Sequence, residues 1–337
     1  MTGAIQQMPV LVLNPHNRCN CRCVMCDIWK RDSVEEISET QLEAQMESIE
    51  RLGVEWVVLT GGEPLMHSRL FRLCEPIRAR GIRLTLLSSG LLLERFAAEI
   101  VDHIDDVIVS LDGPPAIHDR IRRVDGAFAR LQAGIGRIRS LRPEFPIAAR
   151  CTVQRENAAS LSETVVAAHN LQLDSISFLA ADLSSEAFNR QPGIAPDIVP
   201  DIAILREQIK KIVDAGECAG FVPESAAKLQ RIVNHFSCAS GGGQATSPVC
   251  NAPWVSSVME ADGTVRPCFF HQAVGRVSDR KTLFDVVNGP VATWFRATLD
   301  VATNPICRRC VCSLNWQNKA ANAGVDTRSD VSMPLAR

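Results

Sequence analysis

NRCNCRCVMCDIWK, residues 17–30, sets Cys19, Cys21, Cys23 and Cys26 within eight positions near the start of a 337-residue chain. Cys19, Cys23 and Cys26 spell C-x3-C-x2-C. That spacing lets one short loop bring three thiolates to three corners of an iron–sulfur cube and leaves the fourth iron without a protein ligand. A zinc knuckle built from the four would need pairs separated by roughly 2–4 residues. Cys19 and Cys21, one residue apart, are too tight for it.

Working outward, the loop follows a short apolar run, and such runs alternate with longer helical patterns up to about residue 180. Strands are expected at 8–14, 55–60, 82–89, 106–112, 145–153 and 174–181, with helical spacing at 38–51, 67–80, 91–102, 126–141 and 158–170. Repeated βα units imply an α/β protein with a parallel sheet. Strands this apolar on both faces suit either a barrel or a doubly wound sheet. The unusual residues gather at carboxyl ends of strands: the cysteine loop after the first, GGEP after the second, SSG after the third and Asp112–Gly113 at the end of the fourth. That is where an active face belongs.

The chain is 46% apolar and 22% charged, with a net charge of −2 and no apolar run long enough to cross a bilayer. Nothing at the N-terminus resembles a secretion signal, so a cytoplasmic protein is expected. The charge offers no basic field for nucleic acid. In a reducing compartment thirteen cysteines point to metal or redox chemistry. Four lie at 19–26 and five at 250, 268, 307, 310 and 312, which reads as two sites. A Gly/Ser-rich stretch at 237–248 reads as a linker between residues 1–236 and a smaller unit at 249–320, followed by a polar tail at 321–337. Asp262–Gly263 marks a hairpin turn in the smaller unit. Cys250, Cys268, Cys307 and Cys310 suit an iron–sulfur cluster or, by ligand type alone, tetrahedral zinc.

Cys19-x3-Cys23-x2-Cys26, Gly61-Gly62-Glu63-Pro64 and VSLDGPPAIHDRIRRVDGAF (109–128), in this order, resemble the radical S-adenosylmethionine (SAM) superfamily. The resemblance implies a partial (β/α)6 TIM-like barrel with a small C-terminal Cys-rich iron–sulfur domain. It implies SAM on the open iron of a [4Fe–4S] cluster held by Cys19, Cys23 and Cys26, and cleavage of SAM to a 5′-deoxyadenosyl radical that abstracts a hydrogen atom. Gly61, Gly62, Glu63 and Pro64 would meet the methionine end of SAM. Ser89, Ser110 and Asp112 would lie near the ribose, Arg122 near the SAM carboxylate, and Met25 against the adenine, where an aromatic residue is common in the family. Cys21 occupies a position commonly leucine and reads as packing.

Cys250, Gly263-x4-Cys268 and Cys307-x2-Cys310 resemble the SPASM extension in its shortened twitch form, which holds one auxiliary four-iron cluster, with Cys312 as an alternative to Cys310. The spacing is similar to that of twitch-type dehydrogenases of aminocyclitol biosynthesis. The resemblance implies net dehydrogenation of a carbohydrate-like or cyclitol small-molecule substrate, with electron transfer through the auxiliary cluster. An external one-electron reductant such as flavodoxin or ferredoxin is implied as partner, and no nucleic acid or membrane. The alternatives are a peptide-modifying SPASM maturase, against which stands the expected lack of an N-terminal leader-binding module, and a redox-neutral sugar epimerase with Cys218 or Cys238 returning a hydrogen atom. Arg150, Asp182 and His271 are the candidate substrate contacts, placed where the barrel mouth and the second domain should meet.

Overall fold

The computed structural model describes residues 3–183, 187–190, 196–243 and 247–317. The expected tail at 321–337 and residues 244–246 of the expected linker lie outside these. Six parallel strands form where the apolar runs place them: β1 (Val10–His16), β2 (Trp56–Gly61), β3 (Arg83–Ser88), β4 (Asp106–Ser110), β5 (Ile147–Val153) and β6 (Ser175–Ala180). Between and after them run α1 (Glu39–Arg51), α2 (Leu70–Arg78), α3 (Ala97–His103), α4 (Pro115–Arg122), α5 (Ala127–Leu141), α6 (Leu161–Asn170), α7 (Ile202–Asp214) and α8 (Ala226–Ala239). The strands stand side by side in chain order, β6-β5-β4-β3-β2-β1. A doubly wound sheet would reverse direction at a switch point. Sequential order in an open parallel sheet is instead that of a partial barrel.

Local chemistry explains where the helices begin. Ser38 Oγ accepts from Gln41 N at 3.1 Å while Gln41 Oε1 accepts from Ser38 N at 2.8 Å, a reciprocal cap for α1. Helix α4, which hydrophobic spacing does not announce, starts on Pro115, whose fixed φ suits a first helical position. Asp119 on α4 caps the next helix: its carboxylate accepts from Gly126 N and Phe128 N, both at 2.8 Å. Helix α8 begins at Ser225, whose hydroxyl accepts from Lys228 N, and it runs through the first three residues of the expected linker.

Alternation divides β1 and β2 between two apolar layers. Leu11, Leu13, Val57 and Leu59 join the helices in the main core, whereas Val10, Val12, Trp56 and Val58 build the layer on the opposite, inner face. The C-terminal part completes that inner layer. After the short α9 (Ala252–Val255), β7 (Ser256–Met259) pairs parallel with β1, and β8 (Thr264–Arg266) and β9 (Gly275–Arg276) continue antiparallel. Asp262 Oδ1 accepts from Thr264 N at 2.8 Å and Gly263 takes φ +85°, so the Asp-Gly turn forms as expected. The remaining helices are α10 (Leu283–Val287), α11 (Pro290–Thr298) and α12 (Pro305–Arg308). The hairpin thus extends the barrel sheet past β1, and the five later cysteines line a cavity walled in part by Val10 and Val12 of β1.

Candidate radical and auxiliary cluster sites

The cysteine loop is fixed on two sides. Arg22 N and Val24 N donate to the carbonyls of Arg122 and Ile121 at 3.1 and 3.0 Å. These carbonyls are among the last of α4 and lack partners within the helix. On the other side, Gly62 N donates to His16 O at 3.3 Å and Glu63 N to Arg18 O at 2.7 Å, which ties the loop to the GGEP segment. Gly62 has no room for a side chain, since a Cβ there would lie 1.8 Å from the Arg18 carbonyl oxygen, and Gly61 takes φ +109°. The glycine pair is therefore required by close backbone approach.

Cys19, Cys23 and Cys26 line one cavity of ≈ 290 Å³ at the barrel mouth, together with Met25, Gly61, Gly62, Glu63, Ser89, Ser110, Arg122, Arg150 and Asp182. Cys21 does not line it; it is buried in the main core. Glu63 is 1% exposed, and its carboxylate accepts from Ser89 N at 2.7 Å, Ser88 Oγ at 3.0 Å and Leu65 N at 3.2 Å. Burial raises its pKa against the pull of these bonds.

Arg122 Nη2 lies 2.6 Å from Asp112 Oδ2, with both side chains buried, and Arg122 Nη1 donates to Cys23 Sγ at 3.6 Å. Hydrogen bonding from Cys21 and the Arg122 charge bring the Cys23 thiol down to about 7 against burial. A cation beside the sulfur favours the thiolate that metal ligation needs. Burial pushes Cys26 up to about 12, against smaller opposing pulls from the Ile28 backbone and the Arg122 charge. His118 Nδ1 accepts from Asp112 N at 3.2 Å, and burial followed by the Arg122 charge holds this imidazole neutral, with its pKa at about 3.

Two expected contacts of this cavity stand elsewhere. Asp112 does not line it but lies behind Arg122, its other oxygen accepting from Thr152 N at 2.9 Å. Pro64 likewise is buried off the cavity wall, opening the short turn at 64–66. Arg150 Nε donates to Ser177 Oγ at 3.3 Å, and burial lowers the Arg150 pKa. Several lining residues were not anticipated, among them Asn14, His16, Arg31, Thr152, Glu260 and Asp262. Alternation along β1 and β5 would have marked Asn14 and Thr152. Glu260 and Asp262 depend on β7 joining β1, which local sequence does not announce.

Cys250, Cys268, Cys307 and Cys310 line a second, smaller cavity of ≈ 70 Å³, walled by inner-face residues including Val10, Val12 and Val258. Asn304 Oδ1 caps α12, accepting from Ile306 N at 2.9 Å and Cys307 N at 3.2 Å, which sets the direction of Cys307. His271 belongs here and not to the barrel mouth: its Nε2 lies 3.3 Å from Cys307 Sγ. Burial lifts Cys268 to about 12 and Cys307 to about 11. Cys312 lines both cavities, as do Phe269 and Phe270. Among the described residues no three His, Cys, Asp or Glu side chains converge as on a single ion; the sulfurs ring two cavities instead.

Residues 13–165 match the model of the radical SAM superfamily and residues 250–311 that of the SPASM iron–sulfur cluster-binding domain. The chain is a radical SAM domain joined to a SPASM-type iron–sulfur domain. The radical SAM domain binds SAM and a [4Fe–4S] cluster, and the SPASM-type domain binds an auxiliary cluster. The donor sets fit: three cysteines beside a glycine pair too closely packed for side chains, and an apolar pocket ringed by cysteines. Pre-heme d1 synthase of Dinoroseobacter shibae is 32% identical over 159 residues, 46% of this chain and 39% of that protein. The chain spans less than half the length of the curated relatives it matches. SuiB of Streptococcus suis, solved with S-adenosylmethionine, is similar with a TM-score of 0.67 at 15% identity, over 93% of this chain and 74% of that one. BtrN, solved with AdoMet and 2-DOIA, gives 0.50 at 14% identity, over 98% and 100%. These two share the fold. Among the described residues no helix is long and apolar enough to cross a membrane.

Proposed function

We propose that this radical SAM enzyme dehydrogenates an alcohol carbon of a polar, carbohydrate-like or cyclitol small molecule, with Cys19, Cys23 and Cys26 holding the SAM-binding cluster and Cys250, Cys268, Cys307 and Cys310 the auxiliary one. When bound, SAM and its cluster supply a radical that removes a carbon-bound hydrogen atom. Gly61, Gly62 and Glu63 hold the methionine end, and Ser89, Ser110 and Met25 line the remainder of the SAM subsite. Asp182 takes the hydroxyl proton as the carbonyl forms, and Arg150 orients the hydroxyl-bearing face of the substrate.

The observation that carries this reading is the wall common to the two cavities, built by Phe269, Phe270 and Cys312. A substrate at the barrel mouth then lies one side chain away from a cysteine-ringed pocket suited to accept the second electron of a two-electron oxidation. The curated relatives named as heme synthases align over less than half of this chain, so they bear on radical generation and not on the substrate.

A second reading, redox-neutral epimerisation, is favoured by Cys312. Outside the 19–26 loop it is the one cysteine among the described residues that lines the barrel-mouth cavity, whereas Cys218 and Cys238 do not. A thiol there would return a hydrogen atom to the substrate radical, and one electron from the external reductant with a proton from solvent would restore the thiol from the thiyl radical left behind. Anaerobic reconstitution followed by incubation with SAM, dithionite and candidate aminocyclitols separates the readings. Dehydrogenation gives 5′-deoxyadenosine with loss of two hydrogens from the substrate. Unchanged substrate mass in water, with one deuterium gained in D₂O, overturns it in favour of epimerisation, and turnover only on a peptide overturns both.

A further inference from the structure

His16 ends β1, lines the barrel-mouth cavity and is 2% exposed. Its Nδ1 lies 3.1 Å from Glu36 Oε1, close enough for the carboxylate to draw the ring hydrogen to that nitrogen, although the angle is not that of a well-formed hydrogen bond. Glu36 is itself fixed. Its backbone bridges to His16, its Oε1 accepts from Ser68 N at 3.0 Å, and its Oε2 accepts from Ser68 Oγ at 2.5 Å. Burial lowers the His16 pKa against the raising pull of Glu36, and His67 and Arg18 lower it further, so the ring is neutral at pH 7. With its hydrogen on Nδ1, the ring presents a lone pair at Nε2.

That nitrogen has no hydrogen-bond partner among the described residues. Neighbouring His67 differs: its Nε2 meets Ile37 O at 2.9 Å and its Nδ1 accepts from Arg69 N at 3.0 Å. Asn14, two residues before His16, also lines the mouth cavity and also has an unpartnered acceptor, Oδ1. Buried polar atoms are nearly always paired. Two orphaned acceptors on one strand of the cavity wall mark a place where a ligand supplies the donors. In the strand order β1 stands apart from β5 and β6, which carry Arg150 and lead to Asp182.

We infer that Asn14 and His16 form a substrate subsite that accepts hydrogen bonds from a hydroxyl group other than the one oxidised, with Glu36 as the positioning residue that keeps Nε2 an acceptor. The inference rests on the reading of a polyhydroxylated substrate and adds what selects it. A site built around acceptors admits a hydroxyl and discriminates against a carbonyl or a missing oxygen at the same position.

The test uses reconstituted holoenzyme with SAM, dithionite, the candidate aminocyclitols and their singly deoxygenated analogues. For the wild type, removal of one hydroxyl that is not oxidised should raise KM at least about tenfold. In His16→Phe that penalty should shrink to within about threefold, as in a double-mutant cycle, with kcat on the parent compound changed less than KM. Glu36 does not line the cavity, so its variants probe the same contact without touching the substrate. Glu36→Met should reproduce His16→Phe, whereas Glu36→Gln, which keeps an oxygen for Nδ1, should stay within about threefold of the wild type. Should His16→Phe lose iron, the two Glu36 variants decide alone. Equal hydroxyl penalties in wild type and variants overturn the inference. So does a loss of SAM affinity in His16→Phe, read by equilibrium dialysis, without a change in substrate KM, since the acceptors would then serve SAM. A wild type that oxidises no aminocyclitol defeats the dehydrogenase reading and this inference with it, a result reached before any variant is made.

Discussion

The Asp112–Arg122 pair carries the most quantitative expectation. Both side chains are buried, the charged atoms lie 2.6 Å apart, and Arg122 also reaches the Cys23 sulfur. Burial works against the Arg122 charge, but Asp112 and the neighbouring sulfurs more than offset it and push the pKa up. Asp112→Asn keeps an oxygen for Thr152 N and removes the charge, leaving a guanidinium buried without its counter-ion. Arg122→Met keeps the stem and strands the carboxylate. Each single change should cost about 3–5 kcal/mol, the usual penalty for an orphaned buried charge. That is a large share of a typical stability of roughly 5–15 kcal/mol.

The double variant removes both charges and should cost well below the sum of the singles, by at least about 2 kcal/mol, because replacing a buried pair by neutral groups is often close to neutral. Urea unfolding of the reduced apoprotein, kept anaerobic because of its thirteen cysteines, reads all four corners of the cycle. Thermal scans should show losses of roughly 6–10 °C for each single variant at about 2 °C per kcal/mol. Additive costs within about 0.5 kcal/mol would refute the claim that the two charges act on each other.

Gly62→Ala must push a Cβ against the Arg18 carbonyl oxygen from a starting separation of 1.8 Å, and that oxygen is held by Glu63 N. We expect a loss of about 1–3 kcal/mol by denaturation, with SAM affinity measured by equilibrium dialysis falling more than iron content does. Cys21→Ser should retain the iron of the reconstituted protein, whereas Cys23→Ser should lose about four irons per chain, counted by colorimetric assay. Glu224 is 1% exposed and burial raises its pKa to about 7 from 4.5. Its protonated form therefore contributes stability that is fully present below about pH 4.5 and is lost as the pH rises through 7. Glu224→Gln, fixed in the neutral state, should match the wild type near pH 4.5 and exceed it by at most about 3 kcal/mol above pH 7. Parallel stability curves across that range would show that the carboxyl titrates normally.

The βα order was readable because each strand carries its apolar signal locally, and sequential order then follows from short connections between neighbours. The cysteine loop and GGEP were readable for a related reason: a strand end fixes which residues reach the active face, so the motif and its place in the barrel arrive together. Three features depended on contacts distant in sequence. Helix α4 is marked by Pro115 instead of by periodicity, and its value lies in offering the carbonyls of Ile121 and Arg122 to the cysteine loop about a hundred residues earlier. Asp112 sits at a strand end like a ligand contact, yet Arg122 and Thr152 claim both its oxygens, a competition visible only after the helix folds back. His271, expected where the barrel mouth and the second domain meet, lines only the cysteine-ringed cavity, because β8 runs antiparallel from β7 and the chain beyond it brings the imidazole to Cys307. Asn251 holds the segment beyond Cys312 by bonds to Leu314 O and Trp316, and Cys312 lines both cavities. Its place therefore could not be read from spacing: two residues beyond Cys310 it reads as a spare ligand, whereas in the fold it lines both cavities together with Phe269 and Phe270.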